Sequence, residues 1–316
     1  MKTALITGVS GYLGSHLAKE LKKSGWKVVG IDVKHTSNQY VDFFQTCDVN
    51  DSKALHTLFD KIKIDVVFHL AGKIEVGESV KEPTVYYHNN TAGTNTLLNA
   101  MLYWGTKNII YSSTAGVYKS KTETITEIDE VNPLNNPYAG SKYCAELAIR
   151  QSGLNYIIFR YFNLAGSDPD GEFGENHVPE THLIPKILQN LNNDVEIYGT
   201  NYNTEDGTCV RDYVHVSDVA NAHILAADHI MAGKESHILN LGTGKGESVI
   251  SIIKKIIEIT KSSMTNMVTL PRRIGDPDML VADITLAKKI LTYTPKHDII
   301  SILQTAYNWH LKQNGK

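Results

Sequence analysis

Three glycines at fixed spacing, Gly8-Val9-Ser10-Gly11-Tyr12-Leu13-Gly14, fall where a β-branched run, Thr3–Thr7, gives way to an amphipathic one, Gly14–Ser24. Between a strand and a helix, each glycine has a physical task. One permits the tight turn, one lets a pyrophosphate approach the backbone, and one lets helix and strand pack closely. The helix start then offers unpaired N–H groups and a positive dipole end to phosphate. Asp32 closes a second expected strand, Lys27–Asp32. A carboxylate there accepts hydrogen bonds from both adenosine ribose hydroxyls and repels the extra phosphate of NADP. The loop and Asp32 together predict a dinucleotide-binding unit whose cofactor is NAD. Asp48 follows a third short strand; it either reaches the adenine amino group or is a turn residue.

Further β-branched runs, Asp65–Leu70, Asn108–Ser113 and Tyr156–Arg160, alternate with helix-length segments such as Thr91–Trp104. They are continuously apolar, as strands covered on both faces must be. The expected fold class is therefore α/β, a Rossmann-type doubly wound parallel sheet. After Gly166 the texture changes. Ser167–His182 is rich in Gly, Asp, Pro and Glu and reads as a long functional loop. Beyond it come shorter mixed elements, including Ser251–Thr260 with Ile252, Ile253, Ile256 and Ile257 on one face. This predicts an NAD-binding domain over 1–167 and a smaller mixed α/β substrate domain over 168–316, some of whose elements could pack on the first sheet.

Composition narrows the ligand. Apolar residues at 42% and charged residues at 21% suit a globular chain. A net charge of −3 leaves no basic surplus for nucleic acid or an anionic membrane, which points to a small molecule. No apolar run approaches the roughly 20 residues of a membrane span, and Thr7, Gly8 and Ser10 interrupt any signal-peptide core. Three scattered cysteines, Cys47, Cys144 and Cys209, read as free thiols in a reducing cytoplasm. The thirteen histidines show no metal-ligand spacing, and no metal is expected.

Tyr138-Ala139-Gly140-Ser141-Lys142 places a phenol and an ammonium four residues apart, on one face if the segment is helical. A nearby cation favours the phenolate and makes it a usable base. Ser112-Ser113-Thr114 closes the strand Asn108–Ser113 at the carboxyl end, where open α/β sheets place ligands. Alone, each group could equally be surface decoration or a helix cap.

Together these residues resemble the extended short-chain dehydrogenase/reductase superfamily, and within it the UDP-glucose 4-epimerase family. The resemblance covers nearly the whole chain. It includes Val76–Val80, Tyr86–Thr94, Ser112–Tyr118, Asn136–Lys142, Arg160–Gly166, Asp168–Glu175 and Thr181–Pro185. It continues through Asp206–Asp218, Asn240–Val249 and Arg272–Asp283. Carried over, it makes Tyr138 the catalytic base, Lys142 its partner and a nicotinamide-ribose ligand, and Thr114 the hydroxyl that assists proton transfer. Gly8, Gly11, Tyr12, Leu13, Gly14, Asp32, Asp48, Asn89 and Ser112 would line the NAD site. Asn163, Arg211 and Arg273 would hold the UDP diphosphate, with Asp276 on the uridine ribose and Tyr213 beside the nucleotide. The implied activity interconverts UDP-galactose and UDP-glucose through oxidation at C4, rotation of a 4-keto sugar and re-reduction. Relatives commonly pair through helices of the first domain, which implies a homodimer.

Some positions depart from the family pattern. Lys73 precedes the place where some members have a cofactor-contacting lysine, and it receives no role here. Lys119 stands where the family usually has Gly, and the segment between Asp32 and Asp48 is short. Leu280 replaces a bulky tyrosine of some members, which suggests room for N-acetylated sugars. Ala115 and Gly116 after Thr114 lack the acid/base pair that sugar-nucleotide dehydration needs. The remaining alternatives are 4-epimerisation of another UDP-sugar (N-acetylated, glucuronate or pentose) and a non-catalytic NAD-binding protein.

Overall fold

The computed structural model describes residues 1–177, 179–191, 193–263, 266–273 and 276–315. In the first half, β1 (Thr3–Thr7), β2 (Lys27–Asp32), β3 (Phe43–Thr46), β4 (Val66–His69), β5 (Asn108–Thr114) and β6 (Asn155–Tyr161) are strands. Between them run α1 (Tyr12–Lys23), α2 (Ser52–Lys61), α3 (Val76–Lys81), α4 (Pro83–Tyr86), α5 (Gly93–Trp104) and α6 (Pro137–Gln151). There follow β7 (Asn163–Ala165), α7 (Leu183–Gln189), β8 (Val195–Tyr198), β9 (Val210–His215), α8 (Val216–Met231), β10 (His237–Leu241) and β11 (Gly246–Ser248). The chain ends with α9 (Val249–Thr260), β12 (Met267–Leu270), β13 (Met279–Leu280), α10 (Thr285–Leu291) and α11 (Ile299–Gln313).

Seven of these strands form one sheet in the order β10-β6-β5-β4-β1-β2-β3, every pair parallel. The order reverses between β1 and β4, which opens a crevice at their carboxyl ends. One face packs under α1, α8 and α10, through Leu13, Leu17, Leu21, Val219 and Leu291 among others. The other packs under α2, α5 and α6, through Leu55, Leu58, Leu97, Met101 and Ile149. Coverage on both faces explains the continuous apolar strands. A third core unites α7, α9 and α11 with β8 and β9. The C-terminal half thus contributes α8 and β10 to the first sheet, β10 pairing with β6 at its edge. Among the described residues no helix is long and apolar enough to cross a membrane.

The expected strands form with small shifts at their ends. Asp65 stays outside β4, where its side chain accepts a hydrogen bond from the Thr3 N–H at 2.8 Å. The helix expected over Thr91–Trp104 begins earlier, because a π-helical turn over Tyr87–Ala92 leads straight into α5. Such a turn re-aims side chains and often marks a functional position. The segment 167–182 carries neither helix nor strand among its described residues.

One charged pair sits inside the core. Glu146 of α6 is fully buried, and Arg160 of β6 meets it with two hydrogen bonds, at 3.0 and 2.6 Å. Ser113 donates to the same carboxylate, and the guanidinium lies 4.7 Å over the Tyr118 ring. Removing one partner of such a pair strands the other charge at a cost of about 3–5 kcal/mol. Arg160→Met is expected to lose stability in that range by urea unfolding, and Arg160→Met with Glu146→Leu to recover much of it. A single variant within about 1 kcal/mol of the parent would show that the pair does not bear on stability.

Candidate active site

The glycine loop is shaped by contacts that leave no room for side chains. Gly8 adopts φ +75°, and a Cβ on Gly14 would stand 2.2 Å from the Gly8 carbonyl oxygen. The start of α1 can therefore press against the end of β1. Gly11 caps this helix without a side chain, and its first turn holds no acidic residue. The amides of Tyr12, Leu13 and Gly14 thus precede the first intrahelical bond, Ser15 N–H to Gly11. This arrangement suits the pyrophosphate of a dinucleotide. Asp32 sits over the loop, accepting from the N–H groups of Ser10 (3.0 Å) and Lys34 (2.9 Å). Its carboxylate is held by backbone at the mouth of the crevice, where a ribose would lie. Asp48 is exposed and its Oδ1 accepts from Asn50. Tyr12 donates its hydroxyl to the Gly166 carbonyl.

Beneath the loop lies a directed chain of hydrogen bonds. The Ala71 N–H donates to the Thr7 hydroxyl (3.1 Å), which bonds His69 Nδ1 (2.8 Å). His69 Nε2 bonds the Thr94 hydroxyl (2.9 Å), which donates to the Asn90 carbonyl (2.6 Å). Only a neutral His69 with its proton on Nε2 satisfies every partner. Burial, with the Lys142 charge second, pushes this imidazole down to about 3 and keeps it neutral.

The Tyr-x-x-x-Lys segment is helical. Asn136 caps α6 by accepting from the Ala139 N–H at 2.9 Å, and Pro137 supplies the first helical position. Tyr138 therefore stands in the first turn, and Lys142 and Glu146 follow at four-residue steps on the same face. Each meets β5. The Thr114 hydroxyl acts on the Tyr138 phenol, Lys142 Nζ donates to the Ser112 carbonyl at 2.8 Å, and Ser113 donates to Glu146. Gly140 lets α6 approach the π-helical turn and the Pro133 backbone, since a Cβ there would lie 2.4 Å from the Tyr87 hydroxyl and 2.9 Å from the Pro133 carbonyl oxygen.

The electrostatics differ from the sequence expectation. Burial raises the Tyr138 phenol, the Thr114 hydroxyl lowers it, and the Glu75 carboxylate raises it further. The expected lowering by Lys142 does not prevail in the ligand-free protein. Its ammonium is drawn to the Ser112 carbonyl and lies 5.0 Å over the Tyr111 ring. Burial pushes Lys142 itself down to about 8, against the opposing pull of Glu146. The Thr114 Oγ accepts from the Gly116 N–H at 3.0 Å, which leaves its own proton free for the phenol oxygen. The Ser112 hydroxyl continues outward to Tyr161 (2.8 Å) and His223 (2.7 Å).

Several site residues were not singled out from sequence. Asn90, in the π-helical turn, brackets Lys73 through its N–H (2.7 Å) and carbonyl (3.0 Å) and reaches Ser141 (2.9 Å). Its neighbour Asn89, expected at the cofactor, donates to the Val85 carbonyl at 2.8 Å. Glu146 was legible in principle, as the next four-residue step after Tyr138 and Lys142. Asn90 carried no such signal.

On the substrate side, Arg211 of β9 pairs with Asp276 at 2.5 Å, and the Tyr202 hydroxyl donates to the same carboxylate at 3.0 Å. Arg273 lies 4.3 Å over the Tyr198 ring. Asn163 opens β7, which pairs with β9 so that Asn163 stands beside Tyr213. Tyr213 is buried in the third core. Leu280 of β13 is in register with Arg211 and packs against the cluster of Val117, Tyr118 and Phe162. Arg211 and Asp276 thus come together with Tyr202. Both are expected at UDP, and they also pair with each other.

An open parallel sheet with a glycine-loop helix, an aspartate over the loop and a Tyr–Lys pair facing a Ser/Thr strand end is the architecture of a dinucleotide-binding α/β protein. Residues 4–242 match the NAD dependent epimerase/dehydratase family, and the chain belongs to that family. It is 42% identical to a UDP-glucose 4-epimerase of Halalkalibacterium halodurans, over 97% of this chain and 95% of that one. Its structure is similar to UDP-glucose 4-epimerase from Brucella ovis in complex with NAD (TM-score 0.92, 38% identity, 98% and 99% of the two chains). It is likewise similar to the Bifidobacterium longum enzyme in complex with NAD+ and UDP (TM-score 0.90, 33% identity, 99% of each chain).

Asp32→Ser removes an acceptor of charge-assisted hydrogen bonds, each worth about 1.5–3 kcal/mol. NAD affinity is expected to fall about 10–100-fold by equilibrium titration, with a much smaller loss for NADP. An unchanged NAD/NADP ratio would remove Asp32 from cofactor selection.

Proposed function

We propose that the protein interconverts UDP-galactose and UDP-glucose by NAD-dependent epimerisation at C4. The observation that carries this reading is the register of α6 on β5, which sets Tyr138 by Thr114 and Lys142 by Ser112 at the carboxyl end of the sheet, beside the glycine loop. NAD, when bound, supplies a cationic nicotinamide that takes up the C4 hydride and returns it. Tyr138 removes the proton from the sugar 4-hydroxyl from its place in the first turn of α6. Thr114 donates to the phenol oxygen and steadies the proton as it moves. Lys142 holds the nicotinamide ribose and adds a positive charge to the floor of the site. Gly8, Gly11, Tyr12, Leu13 and Gly14 carry the cofactor phosphates, with Asp32 on the ribose and Asp48, Asn89 and Ser112 around them.

Arg211 and Arg273 take the diphosphate with Asn163, and Asp276 takes the uridine ribose. The guanidinium fork suits phosphate oxygens. Affinity concentrated on UDP leaves the 4-keto sugar free to turn over and present its other face. Glu75 places negative charge toward Tyr138, which disfavours a uronate at the same position. Thr114 is followed by Ala115 and Gly116, so no acid/base pair stands there for dehydration. A homodimer in the cytoplasm belongs to the same reading. Leu102 and Tyr103 expose 49% and 74% of their surface at the end of α5, an apolar face suited to a second copy.

Tyr138→Phe keeps the ring and removes the base. Conversion of UDP-galactose, followed by a coupled UDP-glucose dehydrogenase without added cofactor, is expected to drop about 100- to 10,000-fold. NAD released by denaturation should stay near the parent level, and full activity in this variant would overturn the mechanism. Arg211→Ala removes binding shared by ground and transition states. KM for UDP-galactose should rise about 10–100-fold with kcat changed far less, and a fall confined to kcat would contradict the diphosphate role.

A further inference from the structure

The segment 167–182 gathers four side chains that the proposed reaction does not use. Glu175, His177, Glu180 and His182 bring one ligand atom each to within 4.8 Å of every other. His177 Nδ1 lies 3.3 Å from Glu175 Oε1, and His182 Nδ1 lies 3.7 Å from Glu180 Oε1 and in direct contact with Glu175. Both carboxylates are more than nine-tenths buried, their side chains 6% and 5% exposed. The Nδ1 atom of His177 is buried and faces this group, with the Glu175 carboxylate as its nearest acceptor. Two buried carboxylates side by side need positive charge between them; His177 and His182 face them, and a bound cation would supply that charge through the same atoms. In sequence the four alternate as Glu-x-His-x-x-Glu-x-His, a spacing that no regular helix or strand would align; the loop does.

We propose that these four residues form a site for a divalent transition-metal ion of the Zn2+ type. Two imidazole nitrogens and two carboxylate oxygens match the four-coordinate preference of zinc, whereas calcium and magnesium take all-oxygen shells. Tetrahedral bonds of about 2.0–2.2 Å set ligand atoms roughly 3.4 Å apart, so His182 and Glu175 would part slightly while the wider pairs close. The frame is already rigid. The Trp309 indole N–H donates to the Glu175 carbonyl at 3.0 Å, and the Glu180 carboxylate accepts from the N–H groups of Thr181 (2.8 Å) and His182 (2.9 Å). The Thr181 hydroxyl donates to Glu75, the carboxylate that acts on Tyr138. A bound ion would lock this wall of the cleft to the segment that carries Glu75.

The test uses the full chain with its NAD, stripped of adventitious metal by a chelator and titrated with Co2+. One equivalent should bind and give the intense visible bands of four-coordinate cobalt without thiolate charge transfer, then be displaced by Zn2+. Thermal unfolding should shift upward with the ion bound. His177→Ala and Glu180→Gln should each weaken Co2+ binding at least about 10–100-fold, since even supporting residues of metal sites cost that much. Retained NAD would show that each variant is folded. Weak six-coordinate bands, a thiolate signature, no stoichiometric uptake, or parental affinity in folded variants would each overturn the proposal. The parent titration is decisive even if a variant fails to fold.

Discussion

The buried pair of Glu146 and Arg160 fixes more than its own neighbourhood. A carboxylate in a hydrocarbon core must find its partner, and only one rotation and height of α6 brings Glu146 to the guanidinium on β6 and the hydroxyl on β5. Once that position is set, helix geometry does the rest. Lys142 is one step back along the same face and Tyr138 two, so each arrives at its own residue of β5. The chemistry at the carboxyl end of the sheet is thus registered by an ion pair whose strand partners, Ser113 and Arg160, stand in register between those of Ser112 and Thr114. Arg160 shows how well the pair is matched. Burial opposes its charge, yet the hydrogen bonds it donates to Glu146 outweigh that and hold the guanidinium above its ordinary value.

The same economy of charge governs the floor of the site. Lys142 is pushed down to about 8 by burial, so its proton is held less firmly than a surface lysine's. Beside it, His69 stays neutral and spends both nitrogens on Thr7 and Thr94. A charged imidazole there would repel the Lys142 ammonium. The Tyr138 phenol is meanwhile held up by burial and by Glu75, and only the Thr114 hydroxyl draws it down. The protein's own groups therefore hold this phenol above its ordinary value, and positive charge brought beside it would favour the phenolate.

Sequence reasoning reached the elements that repeat a local rule. The glycine loop, the Asn-Pro start of α6, the Tyr–Lys step and the apolar strands each follow from turn chemistry, capping or periodicity within a few residues. It did not reach contacts that exist only because distant segments meet. Asn90 lies in a π-helical turn that no periodicity announces, and its partners Lys73 and Ser141 are 17 and 51 residues away. The pairing of Arg211 with Asp276 crosses 65 residues, and nothing in either motif predicts that they neutralise each other. The influence of Lys142 was misjudged for a related reason. The four-residue step places its backbone correctly, but where the ammonium points is decided by the Ser112 carbonyl on another element.

Helix α1 joins the two halves of the site. Its start forms the glycine loop, while its side chains grip the segment after Gly166. Tyr12 donates to the Gly166 carbonyl, and Lys19, only 2% exposed, lies 2.7 Å from Asp168, 2.7 Å from Asp170 and 3.4 Å from Glu172. A buried ammonium with three carboxylates around it resists opening, because separation would leave charge unpaired in a poorly solvated place. The loop that cradles the cofactor and the loop that walls the substrate cleft are thereby fastened to one rigid rod. A reaction that lends a hydride and takes it back needs this coupling. Loosening the substrate wall far enough to lose the keto sugar would require breaking contacts that also brace the cofactor cradle, so the intermediate and its hydride are retained together.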